Sequence, residues 1–93
     1  RYQPFFWRNY NGTEVDFLCE TTDGFVGIEI KAAEHWQKKF GNGLHRLRQE
    51  MSPGKVRCYG LYRGKRPAKV DDIDVIPVEH FLQQLWNGKI IRG

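Results

Sequence analysis

Residues 13–31, TEVDFLCETTDGFVGIEIK, alternate charged and apolar side chains on both sides of a single turn signal. Period-two alternation is the pattern of a strand that turns one face toward a core. Glu14, Asp16 and Glu20 interleave with Val15, Phe17 and Cys19; Glu29 and Lys31 interleave with Val26, Ile28 and Ile30. A two-residue turn, at Thr22-Asp23 or Asp23-Gly24, pairs even positions of the first run with odd positions of the second. Either choice brings Glu14, Asp16, Glu29 and Lys31 to one side of a sheet. The same parity carried back through an Asn11-Gly12 turn predicts Trp7 and Asn9 on that side, with Phe6 beside Phe17. Such face assignments survive a two-residue slip of register but not a one-residue bulge.

The rest of the chain supplies what a sheet needs to be covered. Phe5 to Tyr10 reads as the first arm of a hairpin, and Phe25 to Ala32 as a third strand. Trp36, Phe40, Leu44, Leu47 and Met51 recur at helical spacing. Gly41 and Gly43 interrupt that face, which leaves Leu44 to Met51 as its firm part. Lys55 to Tyr62 is β-rich, Arg63 to Lys69 is a basic loop, and Ile73 to Ile76 is a short strand. Pro77 suits a helix start, and Val78, Phe81, Leu82, Leu85 and Trp86 form an apolar stripe expected to pack on the core. The order β-β-β-α-β-β-α is an α/β (α+β) fold, a mixed sheet with helices packed on it.

With 93 residues, 40% of them hydrophobic and a net charge of +4, the chain suits one small folded domain. No apolar run reaches the length of a membrane span, and no signal-peptide pattern opens the sequence. The mild positive charge permits a nucleic-acid partner. Cys19 and Cys58 lie inside strand patterns without zinc-type spacing, which reads as buried thiols in a reducing cytoplasm. The start at Arg1, without methionine, predicts a piece of something longer. Gly54-Lys55, Gly64-Lys65 and Gly88-Lys89 lack the upstream glycine and the following Ser or Thr of a phosphate-binding loop, so no nucleotide site is expected in this stretch.

Carboxylates that converge from neighbouring strands ~5 Å apart repel by roughly 3 kcal/mol at an effective dielectric of 20. One lysine offsets that for one acid, and a small divalent cation with oxygen ligands resolves it for the set. The alternative is an exposed sheet face with cross-strand Glu-Lys pairs, each stabilising by a few tenths of a kcal/mol.

An Asp on one strand, followed across a hairpin by Glu-X-Lys, resembles the PD-(D/E)XK nuclease superfamily with its restriction-endonuclease-like fold. Here Asp16 is followed after twelve residues by Glu29-Ile30-Lys31. The longer set Phe6-Trp7-Arg8, the Asn-Gly turn, Glu14-Val15-Asp16-Phe17 and Gly27 to Lys31 is similar to the nuclease-like domain found C-terminal to many prokaryotic AAA+ ATPases. Leu44 to Met51 and Ile76-Pro77-Val78 extend the likeness over most of the chain. The resemblance implies one domain over residues 1–93, as the C-terminal part of a longer ATPase. It implies a Mg (or Mn) ion on Asp16 and Glu29, with the Ile30 carbonyl as a third ligand, Lys31 as catalytic lysine and Glu14 as accessory acid. The implied reaction is hydrolysis of DNA phosphodiesters. Two departures stand out: many active members carry a helical acid before the first strand, and Gln49 has Pro53 where some branches have Tyr.

Arg63, Lys65, Arg66 and Lys69 are candidate contacts to a nucleic-acid backbone, with Lys38, Lys39, Arg46 and Arg48 adding charge nearby. A solvated basic turn is the competing reading. His35, His45 and His80 share no evident site. A catalytically inactive module on the same fold, binding nucleic acid or a protein partner for an attached ATPase, is the alternative to a nuclease.

Overall fold

The computed structural model describes residues 7–10, 15–51 and 55–90, the first of these segments through its backbone alone. Its strands are β1 (Trp7–Tyr10), β2 (Val15–Thr21), β3 (Gly24–Ile30), β4 (Val56–Tyr62), β5 (Ala68–Val70) and β6 (Ile73–Pro77). They form one sheet in the order β1-β2-β3-β4-β6-β5. The first three strands make an antiparallel meander. A 3-10 turn at Lys38–Gly41 and helix α1 (Asn42–Glu50) then carry the chain across to β4. Strands β3, β4 and β6 run parallel, and β5 pairs antiparallel with β6 at the edge. Helix α2 (Val78–Trp86) follows β6 directly.

The alternation read from the sequence separates two cores, one on each face of the sheet. Leu44 and Leu47 of α1 meet Val15, Leu18, Val56 and Cys58 on one face. Phe81 of α2 meets Cys19, Val26, Ile28 and Leu61 on the other. Gly27 admits α1, since a Cβ there would come within 2.8 Å of Leu47. Cys19 and Cys58 are reduced, buried thiols on opposite faces, as the strand pattern predicts. No helix among the described residues is long and apolar enough to cross a membrane.

The mixed sheet with packed helices is the expected fold class, but the expected order lacks a strand. Part of the Arg63 to Lys69 loop region belongs to β5, which closes onto β6 through Val70↔Ile73. The turn between them is Asp71-Asp72, with φ of 50° and 67°. Two left-handed residues match the twist of a tight hairpin, and aspartate tolerates that conformation. An Asp-Asp pair carries no glycine to announce the turn.

Both helical stripes are also narrower than their apolar residues suggest. The helical face expected from Trp36 onward is broken: Trp36 precedes the 3-10 turn, Phe40 lies within it, and α1 starts at Asn42. In α2, Phe81 is buried and Val78 and Leu85 pack partly, whereas Leu82 is 56% exposed and Trp86 90%. Successive helical residues turn by ~100°, so a helix lying on a sheet buries 78, 81 and 85 and swings 82 and 86 outward.

Candidate functional site

The site grows out of the tight turn at Thr22-Asp23. Its register runs from Thr21↔Gly24 to Phe17↔Ile28, and one further step brings Asp16 beside Glu29. Strand β2 is irregular here. Arg8 pairs with Leu18 and Tyr10 with Val15, so two steps on β1 span three on β2. The extra residue falls at Asp16-Phe17, which explains why Val15 and Leu18, three apart, share a core face while Phe17 packs on the other. A bulge of this kind re-aims a side chain. The Asp16 carboxylate is turned into the ladder, where its Oδ2 accepts a hydrogen bond from the Ile30 N–H at 2.7 Å.

The bulge and a slipped register overturn one expectation. Trp7 is opposite Cys19 rather than Asp16, so Trp7 does not follow the predicted parity, whereas Tyr10 is opposite Val15 rather than Thr13, a two-residue slip that keeps it. Phe6, the Asn11-Gly12 turn and the candidate acid Glu14 lie outside the described residues.

Glu29 is 7% exposed, the one buried charged side chain among the described residues. Its Oε2 lies 3.2 Å from the Lys31 Nζ. Burial raises its pKa above the ordinary 4.5 of a glutamate; Lys31 opposes that shift, and the Asp16 charge and a hydrogen bond with the Asp16 carboxyl add to it. Lys31 in turn sits 5.1 Å from the centroid of the Phe40 ring, a cation–π contact. Asp16, Glu29 and Lys31 therefore form one cluster, carried by adjacent strands.

What covers Glu29 could not be read from the motif. Glu29 pairs across the sheet with Gly60 of β4. A Cβ on Gly60 would come within 2.4 Å of the Trp36 ring. Trp36 stands edge-on to Phe40, with centroids 5.3 Å apart, and to Tyr62, at 6.4 Å. Its Nε1 is buried without a hydrogen-bond partner among the described residues. The glycine in Cys58-Tyr59-Gly60-Leu61 was the available signal, since a glycine inside a strand often marks a close approach.

No three His, Cys, Asp or Glu side chains converge to hold a metal among the described residues. Asp16 and Glu29 remain as a two-carboxylate set, with the Ile30 carbonyl on the next residue. This suits a hard cation that keeps several waters, such as magnesium. A carboxyl held above its ordinary pKa beside a second acid is also a site where a divalent charge would be welcome.

The basic candidates divide. Arg63 and Lys65 line a cavity of about 410 Å³ together with Tyr62, Pro77, Glu79 and His80. Arg66 is exposed, and its carbonyl accepts a 2.6 Å hydrogen bond from the Tyr62 hydroxyl. Lys69 points elsewhere, 3.4 Å from Asp74, in a separate cavity. Lys38 pairs with Asp71 at 3.6 Å, and Arg48 donates to the Asp72 carbonyl at 3.1 Å, so these two cations anchor the 3-10 turn and α1 to the β5–β6 turn. His35 and His80 are exposed and His45 is half-buried, on three separate elements of the chain.

No curated protein and no solved structure matches the chain significantly. A family match covers residues 1–81, over strands β1 to β6 and into α2. The chain thus belongs to the family described as Domain of unknown function (DUF4143).

Proposed function

We propose that the chain is a nuclease-like domain of the PD-(D/E)XK kind, hydrolysing DNA phosphodiesters with a divalent metal, in the cytoplasm and attached to an ATPase. Domains of this family are often found with AAA ATPases. The observation that carries the reading is the cluster itself: a buried Glu29 with Asp16 and Lys31 on adjoining strands. A sheet that served only as a scaffold would gain nothing from a carboxylate held in burial beside a second acid. Asp16 and Glu29 would hold the Mg or Mn ion, with the Ile30 carbonyl near them. When bound, such an ion supplies Lewis acidity toward water and toward a phosphoryl oxygen. Lys31 then offers its ammonium to charge developing on the phosphate, and Phe40 keeps that ammonium over the site.

A second reading draws on the same distances. Lys31 already neutralises Glu29, and the Ile30 N–H already satisfies one Asp16 oxygen, so the cluster is stable without a cation. On that reading the domain is a catalytically inactive binding module for the ATPase.

Calorimetric titration with magnesium or manganese, with and without Glu29→Gln, combined with DNA cleavage by Lys31→Ala, separates the two. The nuclease reading expects metal binding that Glu29→Gln abolishes. It also expects cleavage that falls about a hundredfold or more in Lys31→Ala, with metal still bound. Absence of any cleavage that depends on Lys31 would transfer the assignment to the binding module.

A further inference from the structure

The cavity between the end of β4 and the start of α2 lies close to the acid pair, and its register can be read directly. The Lys31 N–H donates to the Leu61 carbonyl and the Arg63 N–H to the Ala33 carbonyl, both at 2.9 Å. The chain leaving β3 therefore runs alongside the end of β4. Tyr62 is paired with Pro77 on the other side. Lys31, Tyr62 and Pro77 thus stand in a row across three parallel strands, each step about 5 Å. Ligands of open sheets with parallel strands bind in the crevice beyond the carboxyl ends of those strands, which is where this cavity opens.

Its chemistry is cationic. Arg63 and Lys65 are exposed, and neither is ion-paired with a described residue, although Glu79 lines the same cavity. His80 adds a third basic side chain. Gly64 is required between the two cations, since a Cβ there would collide with the Tyr62 ring at 2.2 Å. Arg63 and Lys65 are thereby held on a short turn anchored by the Tyr62 hydroxyl to Arg66. Lys69, by contrast, is engaged with Asp74 and belongs to another cavity.

We infer that this cavity is the seat of one phosphate of a nucleic-acid strand, held by Arg63, Lys65 and His80 next to the phosphate that faces Asp16, Glu29 and Lys31. The inference deepens the nuclease reading and rests on it for the substrate class, but it assigns the cavity independently of any metal. A guanidinium and an ammonium set side by side bind a phosphate through charge-assisted hydrogen bonds. Tyr62, at the near wall of the cavity, is one strand spacing of about 5 Å from Lys31, within a single step between successive backbone phosphates.

The test is binding of a short single-stranded oligonucleotide across a range of salt, by the intact chain and by Arg63→Ala/Lys65→Ala, Lys69→Ala and Glu79→Gln. The double variant should lose about tenfold or more in affinity at low salt. Its slope of log affinity against log salt should become shallower by about 0.7, the value for one phosphate on a single strand. Lys69→Ala should change neither, and Glu79→Gln should bind more tightly. Oligonucleotides with a 5′-phosphate and with a 5′-hydroxyl distinguish a terminal from an internal phosphate: equal response to the double variant assigns an internal one, and a response confined to the 5′-phosphate assigns the end. Equal losses in Lys69→Ala and the double variant would overturn the inference, because the charge would then act diffusely. An unchanged salt slope in the double variant would overturn it as well, while leaving metal binding at Glu29 untouched. Loss of metal binding with these salt effects intact would remove the nuclease reading and keep the phosphate seat.

Discussion

The Ile30 N–H donates to the Asp16 Oδ2 at 2.7 Å, across fourteen positions of sequence. A backbone donor in a sheet ladder ordinarily meets a backbone carbonyl. The bulge in β2 displaces that partner, and the carboxylate takes its place, which aims Asp16 at Glu29. Asp16→Ala should therefore cost about 1.5 to 3 kcal/mol by leaving a charge-assisted bond unmade. Asp16→Asn, which retains an acceptor oxygen, should cost less and still weaken metal binding. Denaturant unfolding of the two variants, with hydrogen exchange at the Ile30 amide, checks the order.

Glu29 gives stability a definite dependence on pH. Folding raises its pKa, chiefly by burial, so above 4.5 the folded chain holds the proton more tightly than the unfolded chain does. Stability from this group is fully present below the unfolded value and is lost as pH rises through the folded value. Thermal melts from about pH 4 to about pH 8 should show that decline in the native chain and not in Glu29→Gln. Added magnesium should reduce the decline, because binding to the ionised pair stabilises the folded state.

Gly60 is the point at which Trp36 closes over the strand beside Glu29, so near that a Cβ at this position would lie 2.4 Å from the ring. Gly60→Ala should destabilise by about 1 to 3 kcal/mol, because the ring must shift against Phe40 and Tyr62. The melting temperature reports it, and weaker metal binding should accompany it. A melting temperature equal to that of the native chain would mean that Trp36 is not held over Gly60.

On α2, burial rather than hydrophobicity should set the cost of truncation. Phe81 is 4% exposed and packs edge-on with Tyr59, with centroids 5.5 Å apart. Phe81→Ala should lose about 3 to 5 kcal/mol. Trp86→Ala, at a position 90% exposed, should stay within about 0.5 kcal/mol of the native chain. Denaturant midpoints of the two variants decide this.

Local pattern alone determined much of the site. Alternation with period two requires nothing beyond the geometry of a strand, and the turn at Thr22-Asp23 passes that parity intact from β2 to β3. Glu29 and Lys31 therefore share a face as the residues themselves dictate, and the apolar residues around them sorted into two cores. Tertiary structure decided what no local period encodes. One extra residue in β2 reversed the pairing of Trp7 and turned Asp16 into the ladder. The Asp71-Asp72 turn added β5, its two left-handed residues closing the Val70↔Ile73 pair that no glycine announces. Burial of Glu29 under neighbours of Gly60, and the gathering of Arg63 and Lys65 with His80, came from β4, β6 and α2. A sequence records which residues are charged; the desolvation that shifts a carboxyl and the cavity that collects cations depend on what distant strands place beside them.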